Sequence, residues 1–99
     1  MLIVAGEIRV QSGTRDQYFE AVAAMVAATV AEEGCRAYAF TPDPGDDELI
    51  RLYELWDSEQ ALARHMASSH MAKWRQRSSS LPVISRDLKC YTISDVRPL

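Results

Sequence analysis

Apolar side chains alternate along the first segment of the chain, Leu2–Val10, in the pattern of a strand with one buried face. The next long segment has apolar positions every three or four residues, as in an amphipathic helix. Thr14, with Gln17 three residues later, has the form of a capping box, so this helix should span Thr14–Glu33 and end at Gly34. Its buried stripe is expected to contain Tyr18, Val22, Met25, Val26 and Val30.

The second half of the chain is predicted to hold two strands, an interrupted helix and a final strand. Residues 42–47 have the composition of a hairpin loop, and the pair Ser68–Ser69 interrupts the helix. The predicted strands are Cys35–Thr41, Glu48–Trp56 and Val83–Ser94; the helix runs from a cap at Asp57 or Ser58 to about Met66, and its second piece carries His70, Trp74 and Arg75.

This order of elements, β-α-β-β-α-β, predicts one ferredoxin-like α+β domain over residues 1–99, with an antiparallel sheet and helices on one face. The third predicted strand adds a constraint, because both of its faces are apolar. Helices on one side can cover only one face. We therefore expect a second copy of the chain to cover the other face, giving a homodimer closed face to face. The two faces carry Ile50, Leu52 and Trp56, and Leu49, Tyr53 and Leu55.

Composition narrows the classes of function. The net charge is −3, and the one basic cluster, Lys73 with Arg75 and Arg77, is short, so a nucleic-acid partner is not expected. No apolar run approaches the roughly 20 residues of a membrane helix, and the apolar start of the chain lacks the basic segment of a signal peptide. We expect a cytoplasmic protein without a membrane partner. Cys35 and Cys90 fall on strands that should form opposite sheet edges, so no disulfide between them is expected.

The chemistry-bearing side chains concentrate after the third predicted strand. That strand ends at Trp56, and the helical segment beyond it carries both histidines of the chain, His65 and His70. An imidazole that titrates near neutral pH suits general-base catalysis, which makes His65 the candidate catalytic residue; a partly buried histidine bonded to a backbone carbonyl is the alternative. The two histidines are five residues apart across a helix break, which is not the spacing of a metal site, so no metal is expected.

Each of the other candidate site residues could have a structural role instead of a role in the site. Trp56 could stack on a flat aromatic ligand or belong to the core. Glu54 shares its face and is expected to form an ion pair with Arg9, Arg36 or Arg86. His70 and Trp74, one helical turn apart, are expected to stack at the rim of the pocket. Tyr38 and Arg51, on adjacent strands, are candidate pocket-lining residues that would stabilise an anion.

Three groups of residues together form a recognisable pattern: Glu32-Glu33-Gly34-Cys35 with Tyr38, Tyr53-Glu54-Leu55-Trp56, and Leu62, His65 and Ser69-His70-Met71. In these residues the chain resembles the antibiotic biosynthesis monooxygenase family, and in particular its small quinol-monooxygenase-like members. The resemblance implies a dimeric α+β barrel. It also implies a monooxygenase that oxidises a phenolic or quinol aromatic substrate with O2 and no cofactor. A haem-degrading branch of the superfamily uses an Asn, a Trp and a His where this chain has Gly6, His65 and Arg75, so haem degradation is not expected.

Two other functions stay open at the level of the sequence. Some relatives isomerise small polar metabolites, and an isomerase or other proton-transfer enzyme would use the same histidine in a pocket rich in arginine and other polar groups. A non-catalytic dimeric ligand-binding module would explain the two apolar sheet faces without a reaction. A pocket filled by the chain's own side chains would favour that module.

Overall fold

A computed structural model describes residues 1–99 and contains one antiparallel sheet with helices on one face. The elements are β1 Leu2–Val10, α1 Arg15–Val30, β2 Cys35–Pro42, β3 Leu49–Trp56, α2 Glu59–Met66, α3 Ser69–Ser78 and β4 Val83–Thr92. The predicted interrupted helix consists of the two helices α2 and α3. The strand order β2-β3-β1-β4 confirms the ferredoxin-like α+β prediction.

The core lies between the sheet and the helices. Because side chains alternate across a strand, the even-numbered residues of β1 and β3 point toward the helices, and Ile8, Ile50 and Trp56 are almost fully buried there. Helix α1 packs on β2 and on α3, while α2 packs on β3. None of the three helices is long and apolar enough to cross a membrane.

Helix α1 corrects three details of the prediction. Thr14 does not form a capping box, because its hydroxyl donates to the Gln11 carbonyl at 2.6 Å instead of accepting from the helix. The helix also ends at Val30 rather than Glu33, and Val30 is 52% exposed. Thr29 takes the buried position predicted for Val30, since it continues the spacing of Tyr18 and the other buried residues of α1. Its buried hydroxyl donates to the Met25 carbonyl at 2.7 Å.

Helices α2 and α3 each begin with a serine cap, and the second cap lies at the break between them. The hydroxyl of Ser58 accepts from the Ala61 N–H at 3.1 Å, and the hydroxyl of Ser68 accepts from the Met71 N–H at 3.2 Å. Each cap satisfies a backbone donor that has no partner within its helix. Helix α2 therefore ends at Met66, and α3 begins three residues later at Ser69.

The face of the sheet away from the helices is part apolar and part charged. Tyr53 on β3 and Tyr91 on β4 are 43% and 52% exposed on this face. Near the other end of the sheet, Arg51 pairs with Glu7 across β3 and β1 at 3.0 Å. Strands β2 and β4 form the two edges, so Cys35 and Cys90 are far apart, and both are free.

Gly34 lies where the turn after α1 passes the start of α2. Its φ of +85° belongs to the left-handed region, and a Cβ at this position would lie 2.5 Å from the Cβ of Ala61. Only glycine meets both conditions without strain. The N–H of Asp57 donates to the Gly34 carbonyl at 2.9 Å, which fixes the same approach. Gly34 therefore sets how closely the turn at residues 31–34 can approach α2.

We predict that Gly34→Ala lowers the free energy of unfolding by about 1–3 kcal/mol more than Gly13→Ala does. Gly13 is a matched control, because its φ is +80° and nothing lies within 4 Å of the position that an alanine methyl group would take. Both variants carry the backbone cost of a left-handed alanine, and only Gly34→Ala adds the collision with Ala61. Urea unfolding measures the difference; equal losses in the two variants would show that the Ala61 contact is unimportant.

Candidate functional site

A cavity of about 330 Å³ lies between the sheet and helices α2 and α3. Its volume falls within the range of small-molecule sites. Eleven of its 14 lining residues are hydrophobic, and the other three are Glu54, His65 and Arg86. Met66 and Leu88, which also line it, are 48% and 38% exposed, so the cavity opens to solvent between the end of α2 and β4. An apolar cavity with three polar groups is suited to a flat, mostly apolar ligand.

His65 lies in the wall of this cavity and is only 1% exposed. Its ring packs on Trp56, with ring centres 4.8 Å apart, and on Tyr38, with ring centres 5.3 Å apart. Nδ1 lies 2.7 Å from Oε2 of Glu32. Nε2 has no hydrogen-bond partner within the chain, and His65 is one of the residues that line the cavity.

Glu32 determines which nitrogen of His65 carries the proton. A carboxylate can only accept hydrogen bonds, so Nδ1 must donate and Nε2 is left with a free lone pair. The same Oε2 also accepts from Nε2 of His70 at 2.9 Å. One carboxylate oxygen therefore joins both histidines of the chain. Burial lowers the pKa of His65, and the hydrogen bond and charge of Glu32 oppose that shift; the imidazole is thus neutral at physiological pH.

Sequence reasoning missed Glu32, although Glu32 belongs to the stretch that carries the family resemblance. Glu32 lies in the turn after α1 and is 33 residues from His65 in the chain. The only signal in the sequence was Gly34, which marks a turn able to approach another element closely. The spacing argument against a metal-ligand set considered the two histidines alone and left out Glu32, and the absence of a metal stays a prediction. The break between α2 and α3 brings His65 and His70 together, and Glu32 comes from a different segment.

Trp56 takes the core alternative of its prediction, whereas Glu54 differs from its predicted role. Trp56 is fully buried and does not line the cavity; its ring supports His65 instead of forming a wall for a ligand. Glu54 forms no ion pair within the chain, because Arg9 pairs with Asp46 and Arg36 pairs with Asp57. Its Oε1 accepts from the indole Nε1 of Trp56 at 2.8 Å. Glu54 is 5% exposed and lines the cavity, and burial raises its pKa to about 7.

The remaining candidates divide between the cavity and the opposite sheet face. Tyr38 and Trp74 line the cavity, and burial strongly raises the pKa of the Tyr38 phenol, which therefore stays protonated. Arg51 lies on the other face, where it pairs with Glu7 and Asp43, so it does not line this cavity. Trp74 packs edge-on against Tyr18, with ring centres 5.4 Å apart, and His70 bonds Glu32 instead of stacking on Trp74. The substrate-binding roles of these residues stay predictions.

Arg86 is the one arginine that lines the cavity, and sequence reasoning placed it only as a partner for Glu54. It lies on β4 opposite Ile8 of β1, at an even position that faces the helices. Burial raises the pKa of the nearby Tyr18 to about 12, and the charge of Arg86 opposes that shift. Arg86 makes no ion pair within the chain, so its charge is available at the mouth of the cavity.

The model of the family described as antibiotic biosynthesis monooxygenase matches residues 1–77. The chain therefore belongs to this family. No curated protein matches the sequence.

Solved structures share the fold over nearly the whole chain. A protein from Deinococcus radiodurans, named as a candidate antibiotic biosynthesis monooxygenase, superposes with a TM-score of 0.90 at 19% identity, covering 100% of this chain and 98% of that one. Rv0793 from Mycobacterium tuberculosis has a TM-score of 0.84 at 23% identity, with 98% of each chain covered. A candidate antibiotic biosynthesis monooxygenase from Nitrosomonas europaea has a TM-score of 0.85 at 18% identity, covering 96% of this chain and 100% of that one. These identities establish a common fold.

The raised pKa of Glu54 predicts a pH-dependent stability. An unfolded Glu loses its proton near pH 4.3, whereas folded Glu54 keeps its proton up to about pH 7. Between these values the folded state binds the extra proton, so the contribution of Glu54 to the free energy of unfolding falls as the pH rises. Glu54→Gln cannot ionise and its amide oxygen can still accept from Trp56. Relative to the wild type, this variant should gain up to about 3 kcal/mol between pH 4.5 and pH 8.

Urea unfolding at both pH values measures this gain. Glu20→Gln, on the exposed side of α1, is the control and should run parallel to the wild type. A constant difference between Glu54→Gln and the wild type across the pH range would contradict the assignment of a buried, protonated Glu54.

Proposed function

We propose that the chain is a monooxygenase that oxidises a phenolic or quinol aromatic substrate with O2 in this cavity, without a bound cofactor. The observation that carries the proposal is that Glu32 holds Nδ1 of His65 and leaves the Nε2 lone pair free on a residue that lines an open apolar cavity. A general base must lie within hydrogen-bond reach of the proton that it removes. A phenol bound in this cavity can meet that condition.

The residues that line the cavity have separable roles in this proposal. His65 removes the phenolic proton, and Arg86 stabilises the resulting anion. A positive charge is effective in this role because little water screens it in an apolar site. Trp74 and the aliphatic lining residues hold the ring by apolar contact. Tyr38 and protonated Glu54 are neutral hydrogen-bond donors for a substrate oxygen. Arg86 thus takes the anion-binding role that the sequence suggested for Arg51.

The oxidation needs only the substrate, O2 and proton transfers. The phenolate passes one electron to O2, and the resulting phenoxyl radical combines with superoxide at a ring carbon. The peroxide then loses water, so that one oxygen atom remains on the substrate as a carbonyl and the other leaves as water. His65 returns the proton that it removed. The protein therefore needs to bind, deprotonate and shield the substrate.

The cavity argues against the two alternatives from the sequence. An isomerase for a polar metabolite calls for a pocket rich in arginine and other polar groups, but only three of the 14 lining residues are polar. A binding module without a reaction calls for a filled cavity, or for a histidine bonded to a backbone carbonyl. Here the cavity is open, and His65 bonds a carboxylate.

The homodimer is part of this proposal. The sheet face away from the helices exposes Tyr53 and Tyr91, and contiguous exposed apolar surface of this kind marks interaction sites. Leu49, which was expected on this exposed face, is 6% exposed within the single chain. The apolar half of the face around Tyr53 is thus the surface that a second copy would cover.

We predict that His65→Ala lowers kcat by about 10²–10⁴ and leaves KM nearly unchanged, because the variant removes the base while the apolar lining remains. The measurement is O2 consumption by protein free of flavin and metal, across a panel of quinols and polycyclic phenols, corrected for autoxidation. Lys73→Ala on the exposed side of α3 is the control and should retain full activity. Turnover that is equal in His65→Ala and wild type would remove His65 from the mechanism, and no uptake on any substrate would contradict the proposed reaction.

We predict that Tyr53→Asp converts the dimer to a monomer, because an ionised carboxylate would be buried without a partner in the interface. Light scattering coupled to size-exclusion chromatography should give about twice the chain mass of 11.1 kDa for the wild type, and the chain mass for the variant. Val30→Asp changes an equally exposed valine on α1 and should remain dimeric. A monomeric wild type would rule out the dimer.

A further inference from the structure

Glu32, His65 and His70 bring three potential metal-ligand atoms together on one side of α2 and α3. The carboxylate oxygen and the two imidazole nitrogens all lie within 4.8 Å of one another. Two imidazoles and one carboxylate are a donor set found in mononuclear zinc sites. We propose that these three residues form a binding site for a divalent transition-metal ion of the Zn²⁺ class.

The distances require only a small rearrangement. Oε2 of Glu32 lies 2.7 Å from Nδ1 of His65 and 2.9 Å from Nε2 of His70, which are hydrogen-bond separations. In a tetrahedral zinc site with bonds of roughly 2.0–2.1 Å, the ligand atoms lie about 3.4 Å apart. These two pairs must therefore open by about 0.7 and 0.5 Å, and the two imidazole nitrogens, which lie within 4.8 Å of each other, must reach the same separation. The side chains of Glu32 and His70 are 16% and 23% exposed, so they have room to move, while buried His65 stays in place.

The donor set also limits the type of ion. Mg²⁺ and Ca²⁺ prefer sites built from oxygen ligands, whereas imidazole nitrogen favours Zn²⁺, Ni²⁺, Cu²⁺ and related ions. The partial exposure of Glu32 and His70 gives the ion a path from solvent that does not pass through the cavity. A water molecule can complete the tetrahedron on that exposed side.

Metal binding at this site would change the state of His65 at the cavity. The ion must take the lone pair of Nδ1, so the neutral imidazole then carries its proton on Nε2. Nε2 is the ring nitrogen without a partner on this cavity-lining residue, and it would change from a proton acceptor to a donor. If the proposed monooxygenase function holds, the bound ion inhibits it; the metal site itself does not depend on that function.

The test begins with binding, measured without substrate on protein freed of metal by a chelator. Calorimetric titration with Zn²⁺ should give one equivalent per chain for the wild type. Glu32→Gln and His70→Ala should each weaken binding at least about tenfold. Glu33→Gln is the matched control, because it removes the neighbouring, exposed carboxylate and should bind like the wild type. Binding that is absent from the wild type, or unchanged in both ligand variants, would overturn the proposal.

Co²⁺ in place of Zn²⁺ identifies the ligands by a second readout. Nitrogen and oxygen ligation gives weak visible bands, whereas a strong near-ultraviolet band would indicate binding by the free thiols of Cys35 or Cys90 and would overturn the assignment. Circular dichroism of the metal-free variants checks that each is folded.

Where the wild type turns over a quinol, one equivalent of Zn²⁺ should abolish the turnover and a chelator should restore it. A chain with no turnover but with the expected binding would contradict the proposed function alone.

Discussion

The arrangement of the site depends on one carboxylate oxygen, Oε2 of Glu32, which accepts hydrogen bonds from two imidazoles. This contact joins the turn after α1 to the end of α2 and the start of α3. It fixes the tautomer of His65 and leaves Nε2 free at the cavity. The contact is possible because Gly34 lets the turn approach α2, and because the Ser68 cap starts α3 two residues before His70. A backbone constraint and a helix cap thus determine the chemistry of a side chain.

The elements of the fold were predictable because each has a local cause. The alternation along Leu2–Val10 and the serines at the helix break act within a few residues, and both predictions agree with the structure. The end of α1 was harder to predict, since Val30 is apolar and continues a plausible stripe. Thr29 continues the spacing of Tyr18, Val22 and Met25, but a search for apolar residues passes over its hydroxyl-bearing side chain.

The candidate site was predictable in its location but not in its partners. The sequence pointed to His65, and the cavity includes it together with Tyr38 and Trp74. The sequence could not pair His65 with Glu32, since that contact joins segments 33 residues apart. The prediction placed Arg51 in the pocket, but odd and even residues of β3 point to opposite faces of the sheet. Arg51 therefore lies on the same face as Tyr53, away from the helices. Glu54 points to the core side of the sheet, and its hydrogen-bond partner is the indole N–H of Trp56 rather than an arginine.

The exposure of the cavity's rim has a consequence for how such a protein can change over evolutionary time. Met66, Arg86 and Leu88 line the cavity, yet they lie at its open edge and contribute little to the core. His65 and Trp56, by contrast, are buried deep in the same wall. Mutations at Met66 and Leu88 can therefore alter which ligands fit without disturbing the contact between His65 and Glu32. Ligand preference can drift quickly on this scaffold while that contact is inherited intact.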